Sequence, residues 1–223
     1  MRIVIAGGHG QIALRLERLL GAGAVGIVRN PDHVADVEAT GAQAAVLDLE
    51  HASAGRVADL VNGADAVVFA AGAGPGSGVA RKDTVDRAAS VLLADAAEQA
   101  GVRRFLQISA LGAGAPPRPG SDEVWAAYVE AKGAAEDDLR ARDLDWVILR
   151  PGGLTDDTGT GRVTLTTGST GRGLVTRDDV AAVTAALLAE PAVRRVTLEL
   201  IGGDTPIADA VAAIRGEGYP AGI

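Results

Sequence analysis

The sequence predicts an α/β protein built on a doubly wound parallel sheet, with a small C-terminal elaboration. Three observations carry this. Short apolar runs alternate with segments of helical periodicity along most of the 223 residues. The runs are continuously apolar, so helices must cover both faces of the sheet. The first run also enters a glycine turn that opens straight into a helix, Gly7-Gly8-His9-Gly10-Gln11-Ile12-Ala13.

The elements follow in order. Arg2–Ala6 reads as the first strand, and Gly10–Leu20 as a helix with Ile12, Leu16, Leu19 and Leu20 on its apolar face. Val25–Val28 is a strand, and Asp32–Ala39 a short helix entered through Pro31. Ala44–Leu47 and Ala66–Ala71 are strands with the helix Arg56–Val61 between them. Gly74–Gly78 reads as a loop, too poor in cations for a second phosphate cradle. A long helix, Lys82–Ala100, ends at Gly101, a residue that tolerates the left-handed turn of a helix stop. Arg104–Ile108 is the fifth strand. Asp122–Arg142 is a second long helix, with Ser121 as its N-cap and Asp122 and Glu123 at the positive end of its dipole. Trp146–Leu149 is the sixth strand, expected to stop at Pro151. Beyond it come a strand at Arg162–Thr166, a helix at Arg177–Ala189, a strand at Val196–Ile201 and a helix at Ile207–Ile214. Residues 1–223 are expected to form one domain, with 151–223 supplying a small substrate-side region.

Composition removes several kinds of chemistry. The chain has no cysteine, which excludes disulfides, thiolate metal sites and cysteine nucleophiles. His9, His33 and His51 lie far apart in sequence, so no metal cluster is expected. A net charge of −8 without a basic stripe argues against nucleic acid or an anionic membrane as partner. The opening apolar stretch is too short for a signal-peptide core, and no run approaches the ~20 apolar residues of a membrane span. A soluble, cytoplasmic protein acting on a small molecule is expected, of undetermined oligomeric state. Among 21 basic residues only Lys82 and Lys132 are lysines, so a lysine in a chemically suggestive place is informative.

The turn at Gly7 through Ile12 has the physical requirements of a dinucleotide site. Gly7 permits the tight turn, Gly10 lets a phosphate approach the backbone, and Ala13 lets helix and strand pack closely. The helix N-terminus, from Gln11 and Ile12 onward, then offers amides to a pyrophosphate, with Gly8 and His9 in the same turn. No Gly-Lys-Ser/Thr follows, so it is not a Walker loop. At the end of the second strand, Arg29 stands where NAD-selective proteins place an acid, and it predicts a preference for NADP(H) over NAD(H). Asp48 and Leu49 are placed to border the adenine. The small Ala70, Ala71 and Gly72 let a nucleotide lie against the sheet edge.

Tyr128 and Lys132 lie four residues apart on one helix face, and Ser109 closes the fifth strand. A cation beside the phenol would lower its pKa and equip it for proton exchange with a carbonyl or alcohol. A chain with two tyrosines and two lysines contains this spacing by chance in roughly 2% of shuffled orders.

Gly7-x-x-Gly10-x-x-Ala13, Arg29, Ser109, Tyr128-x-x-x-Lys132 and Leu149-Arg150-Pro151-Gly152 together resemble the short-chain dehydrogenase/reductase superfamily. The similarity is closest to its atypical NAD(P)H-binding branch, with the biliverdin/flavin reductases, NmrA-like regulators and small epimerase-like proteins. It covers essentially the whole chain, including Arg177-Asp178-Asp179-Val180-Ala181 and Gly202-Gly203-Asp204-Thr205-Pro206-Ile207. The resemblance implies a Rossmann fold. It implies pyrophosphate contacts at Gly7, Gly10 and Gln11, with Arg29 at the adenine-ribose phosphate. Lys132 would take the nicotinamide ribose, Tyr128 would be the acid–base, and Pro151, Gly152, Gly153 and Leu154 would border the nicotinamide. Ala110 follows Ser109 where many relatives carry a second hydroxyl. Two functions follow as expectations: an NADP(H)-dependent oxidoreductase of a small carbonyl, alcohol or quinone/flavin-like acceptor, or a non-catalytic NADP(H)-binding sensor. Only about 70 residues follow the sixth strand, which argues against a nucleotide-sugar substrate.

Overall fold

The computed structural model describes residues 1–74, 76–116, 120 and 122–216. Seven strands run parallel in the order β3 (Gln43–Val46), β2 (Ala24–Val28), β1 (Ile3–Ala6), β4 (Ala66–Phe69), β5 (Arg104–Ile108), β6 (Asp145–Pro151) and β10 (Val196–Gly202). The chain winds outward in one direction from β1 to β3 and in the other from β4 onward. That reversal leaves a crevice beyond the C-terminal ends of β1 and β4, where open α/β sheets receive ligands. At the far edge, β8 (Arg162–Thr166) pairs antiparallel with β10, and β11 (Thr205–Pro206) pairs antiparallel with β8.

Alternating side chains of the same strands feed two cores. Ile3 and Ile5 of β1 face Leu16 of α1 (Gln11–Leu20), Val180, Val183 and Leu187 of α7 (Arg177–Leu188), and Val211 and Ile214 of α8 (Ile207–Gly216). Val4 and Ala6 face the other way. They meet Val57 and Val61 of α3 (Ala54–Val61), Leu93 and Ala97 of α5 (Ala89–Gln99), and Leu139 of α6 (Glu123–Arg140). Both sheet faces are covered, as the unbroken apolar runs require. The short helix α2 (Val34–Glu38) is entered through a 3₁₀ turn at Pro31–His33, and Asn30 caps that turn.

β6 ends at Pro151 as expected, with the proline as its last residue and its carbonyl accepting from Leu111 N–H at 2.9 Å. A proline at a strand's last position gives up only its own missing donor. Two other local expectations are corrected. The long helix before Gly101 begins earlier, at α4 (Val79–Arg81), and widens into a π-helical stretch over Lys82–Ala88 before α5. The N-cap of α6 is Asp122, whose carboxylate accepts from Trp125 N–H at 2.9 Å, while Ser121 lies outside the described residues. Three short strands had no readable pattern: β11, β7 (Gly153–Thr155) and β9 (Leu174–Thr176), the last two forming a separate parallel pair.

Candidate active site

The crevice at the strand reversal is a cleft of about 360 Å³. Gly7, His9, Gly10, Arg29, Asp48, Leu49, Ala70, Ala71 and Gly72 all line it. Its floor is shaped by what it lacks. Gly7 sits at φ +84°, and a Cβ there would come within 2.6 Å of the Ala71 Cα. A Cβ on Gly10 would stand 3.0 Å from the Gly7 carbonyl, which already accepts the Gly10 N–H at 2.7 Å. Gly10 caps α1 with no side chain, so the first-turn amides are left to an anion. A pyrophosphate fits this cradle, and any larger residue would fill it. Gly8 and Ile12 serve from behind: Gly8 N–H donates to the Ile27 carbonyl at 2.9 Å, and Ile12 packs on the core. Gln11 is exposed at the start of α1.

The cleft's outer end is rich in charge. Arg29 is 54% exposed and donates to Glu50 at 2.9 Å, while Arg81 reaches the same oxygen at 2.8 Å. Thr84 donates to the other oxygen at 2.7 Å. The Thr84 hydroxyl, then Arg81 and Arg29, hold the Glu50 carboxyl below its ordinary value against partial burial. One carboxylate thus holds two guanidiniums side by side. Asp48 accepts from the Glu50 amide and pairs with His51, each at 3.0 Å. His9 and His33, distant in sequence, stack with ring centroids 3.6 Å apart, and His9 bonds Asp36 at 2.8 Å. Among the described residues no three His, Asp or Glu groups gather as a metal site.

Tyr128 and Lys132 meet as the spacing requires, with the Lys132 ammonium 5.8 Å from the phenol ring centre. Sequence reasoning missed two further groups, Asp86 and Lys82, both on the π-helical stretch. Asp86 is fully buried and pairs with Lys132 at 3.3 Å, while its other oxygen accepts from Ala73 N–H at 3.2 Å. Lys82 lies 5.4 Å from the same ring, so both lysines of the chain converge on one phenol. Only the scarcity of lysine signalled Lys82; nothing in the sequence marked Asp86.

This arrangement corrects the expected electrostatics. Lys132 does not lower the Tyr128 pKa: burial, and then the Asp86 charge, push it up to about 12. Burial also moves the Lys132 ammonium below its ordinary value, with Asp86 opposing. The phenol is therefore a neutral O–H at physiological pH, an acid able to give a proton and not a ready base.

Ser109 does not join the pair. Its buried hydroxyl donates to Glu136 at 2.5 Å, and Glu136 also takes charge-assisted bonds from Arg140 and Arg150. Ser109 thereby ties the end of β5 to α6. Pro151, Gly152, Gly153 and Leu154 lie outside the lining of this cleft, as Tyr128 and Lys132 do. Gly152 N–H donates to the Leu200 carbonyl of β10 at 2.8 Å, and Gly153 N–H donates to the Gly173 carbonyl at 2.9 Å where β7 meets β9.

Residues 7–191 match the profile of a family described as NAD(P)H-binding. The chain is 36% identical over 215 residues to an uncharacterized sugar epimerase of Bacillus subtilis, covering 95% of this chain and 99% of that one. A candidate NAD-dependent epimerase/dehydratase from Bacillus halodurans superposes with a TM-score of 0.87 at 32% identity, covering 96% and 99%. The anaerobilin reductase ChuY of Escherichia coli O157:H7 superposes with a TM-score of 0.75 at 28% identity, covering 92% and 98%.

Proposed function

The chain belongs to the NAD(P)H-binding family, with the Rossmann fold of the short-chain dehydrogenase/reductase type, and from that premise we propose that it is an NADPH-dependent reductase of a small carbonyl or quinone/flavin-like acceptor. The observation that carries the proposal is the Tyr128 phenol set beside the Lys132–Asp86 pair, where burial and the Asp86 charge push its pKa up to about 12. A bound dinucleotide supplies the hydride. The acceptor's carbonyl carbon gains that hydride, its oxygen takes the Tyr128 proton, and the phenolate is reprotonated from water. A phenol held neutral favours this direction over alcohol oxidation, which needs a base.

The chain's own groups divide the remaining work. The turn at Gly7–Gly10 and the first-turn amides of α1 would receive the pyrophosphate. Arg29, joined by Arg81, would receive a ribose 2′-phosphate, with Glu50 holding both guanidiniums in place until it arrives. Lys132, fixed by Asp86 and the Ile108 carbonyl, would hold the nicotinamide ribose. The reductase title of the ChuY neighbour supports this reading.

The test is NADPH consumption at 340 nm with a panel of aldehydes, quinones and free flavin. Tyr128→Phe should slow carbonyl reduction by about 10²–10⁴-fold while NADPH affinity holds. Undiminished reduction by the variant would remove Tyr128 as the proton donor and favour direct hydride transfer to a flavin or quinone.

A further inference from the structure

Lys82 is 7% exposed, yet among the described residues no carboxylate lies within ion-pairing distance of it. Of the three donors on its ammonium, one reaches the Gly74 carbonyl at 3.1 Å. The neighbouring acids are committed elsewhere. Asp83 bonds Arg87, Asp86 pairs with Lys132, and Glu50 holds Arg29, Arg81 and Thr84. Glu136, behind Lys132, is shared by Arg140 and Arg150. The buried group around the phenol thus sets two lysines, Lys82 and Lys132, beside one carboxylate, Asp86, which is taken by Lys132. Burying an ammonium without an anionic partner is costly, and a ligand carboxylate would relieve that cost.

We propose that Lys82 receives a carboxylate of the substrate, so that this protein reduces carbonyl compounds bearing an acid group close to the reacting carbon. The proposal rests on the reductase reading for its carbonyl but on Lys82 alone for its acid. Lys82, like Tyr128 and Lys132, lies outside the lining of the cleft at the glycine turn, on the side where an acceptor would meet the phenol. Its ammonium lies 5.4 Å from the centre of the Tyr128 ring, so an acceptor whose carbonyl oxygen takes the phenol proton brings a carboxylate on a nearby carbon toward Lys82, and the 2-oxo acids are the simplest acceptors of that kind. Displacement of the Gly74 carbonyl by a carboxylate exchanges a neutral acceptor for a charged one, which strengthens the bond.

Phenylglyoxylate and its methyl ester probe this directly, since the ester removes the charge and keeps the ketone. Binding to protein loaded with NADP⁺ is followed by tryptophan fluorescence, because Trp125 packs against Tyr128 at 5.5 Å. The acid should bind at least tenfold more tightly than the ester, and Lys82→Met should abolish that difference while NADPH affinity stays within twofold. Lys82→Arg should retain part of it. Equal affinities in the wild type, or a preference that survives Lys82→Met, would overturn the proposal. A Lys82→Met variant with weakened NADPH binding would overturn it too, by assigning the lysine to the cofactor. Acid-selective binding without any NADPH oxidation would leave Lys82 as the anion receptor and refute the reductase reading instead.

Discussion

Glu17 allows a sharp prediction about stability. It lies on α1 beneath the glycine turn, fully buried, in the space left by the missing side chains of Gly8 and Gly26. Neither carboxyl oxygen has a hydrogen-bond partner among the described residues. Burial, slightly opposed by Arg18, raises its pKa from 4.5 to about 8. Below pH 4.5 the folded and unfolded chains both carry the proton. Between 4.5 and 8 the unfolded chain has lost it and the folded chain keeps it, so stability falls as pH rises through this window and levels off above 8. At about 1.4 kcal/mol per unit, the full effect is at most ~5 kcal/mol, of which roughly 3 kcal/mol falls between pH 5 and 8. Glu17→Gln cannot ionise, and the cost of its own buried amide is independent of pH. Urea unfolding of both proteins at pH 5, 6.5 and 8 should therefore show the variant gaining roughly 3 kcal/mol on the wild type across the range. Stability curves parallel to within about 0.5 kcal/mol would refute a neutral, unpartnered Glu17.

Other consequences are equally direct. Arg29→Ala should cost NADPH at least tenfold in affinity and leave NADH nearly unchanged, and Arg81→Ala should do the same more weakly; equal losses for both cofactors in a fluorescence titration would contradict a 2′-phosphate role. Gly7→Ala, at φ +84° and against Ala71, should abolish dinucleotide binding or destabilise the fold by roughly 2 kcal/mol or more, read by calorimetry with and without NADPH. Asp86→Asn removes the charge that helps keep Tyr128 protonated. The absorbance of tyrosinate at high pH, with only two tyrosines in the chain, should show the Tyr128 titration move down from about 12, and the alkaline limb of the reduction profile should move with it. An unmoved titration would show that Asp86 does not act on the phenol.

Much of this molecule is legible in its sequence because the signals are local. Continuous apolar runs at Ile3–Ala6 and Ala66–Phe69 can be satisfied only between two helical layers, and they were. The turn at Gly7–Gly10 and the four-residue step from Tyr128 to Lys132 are likewise set by short-range geometry. What stayed hidden depends on contacts between distant segments. Strands β7 and β9 are three residues each and exist only because they find one another. Asp86 reads as one more acid on a helix until the fold sets it against Lys132. Ser109 looks like a catalytic hydroxyl until Glu136, 27 residues away, claims it. The expected pair is in place, but the Tyr128 pKa moves up where a fall was expected, because the sequence shows a cation beside a phenol but neither the burial nor the Asp86 carboxylate.

A structure determined with NADPH bound tests the central claim most directly. We expect the pyrophosphate on the Gly7–Gly10 turn, the 2′-phosphate between Arg29 and Arg81, and the nicotinamide ribose on Lys132, with the reactive carbon opening onto the Tyr128 hydroxyl across a gap that fits one carbonyl. A nicotinamide directed away from Tyr128, or held where no acceptor could touch both, would leave the protein a dinucleotide holder without this chemistry.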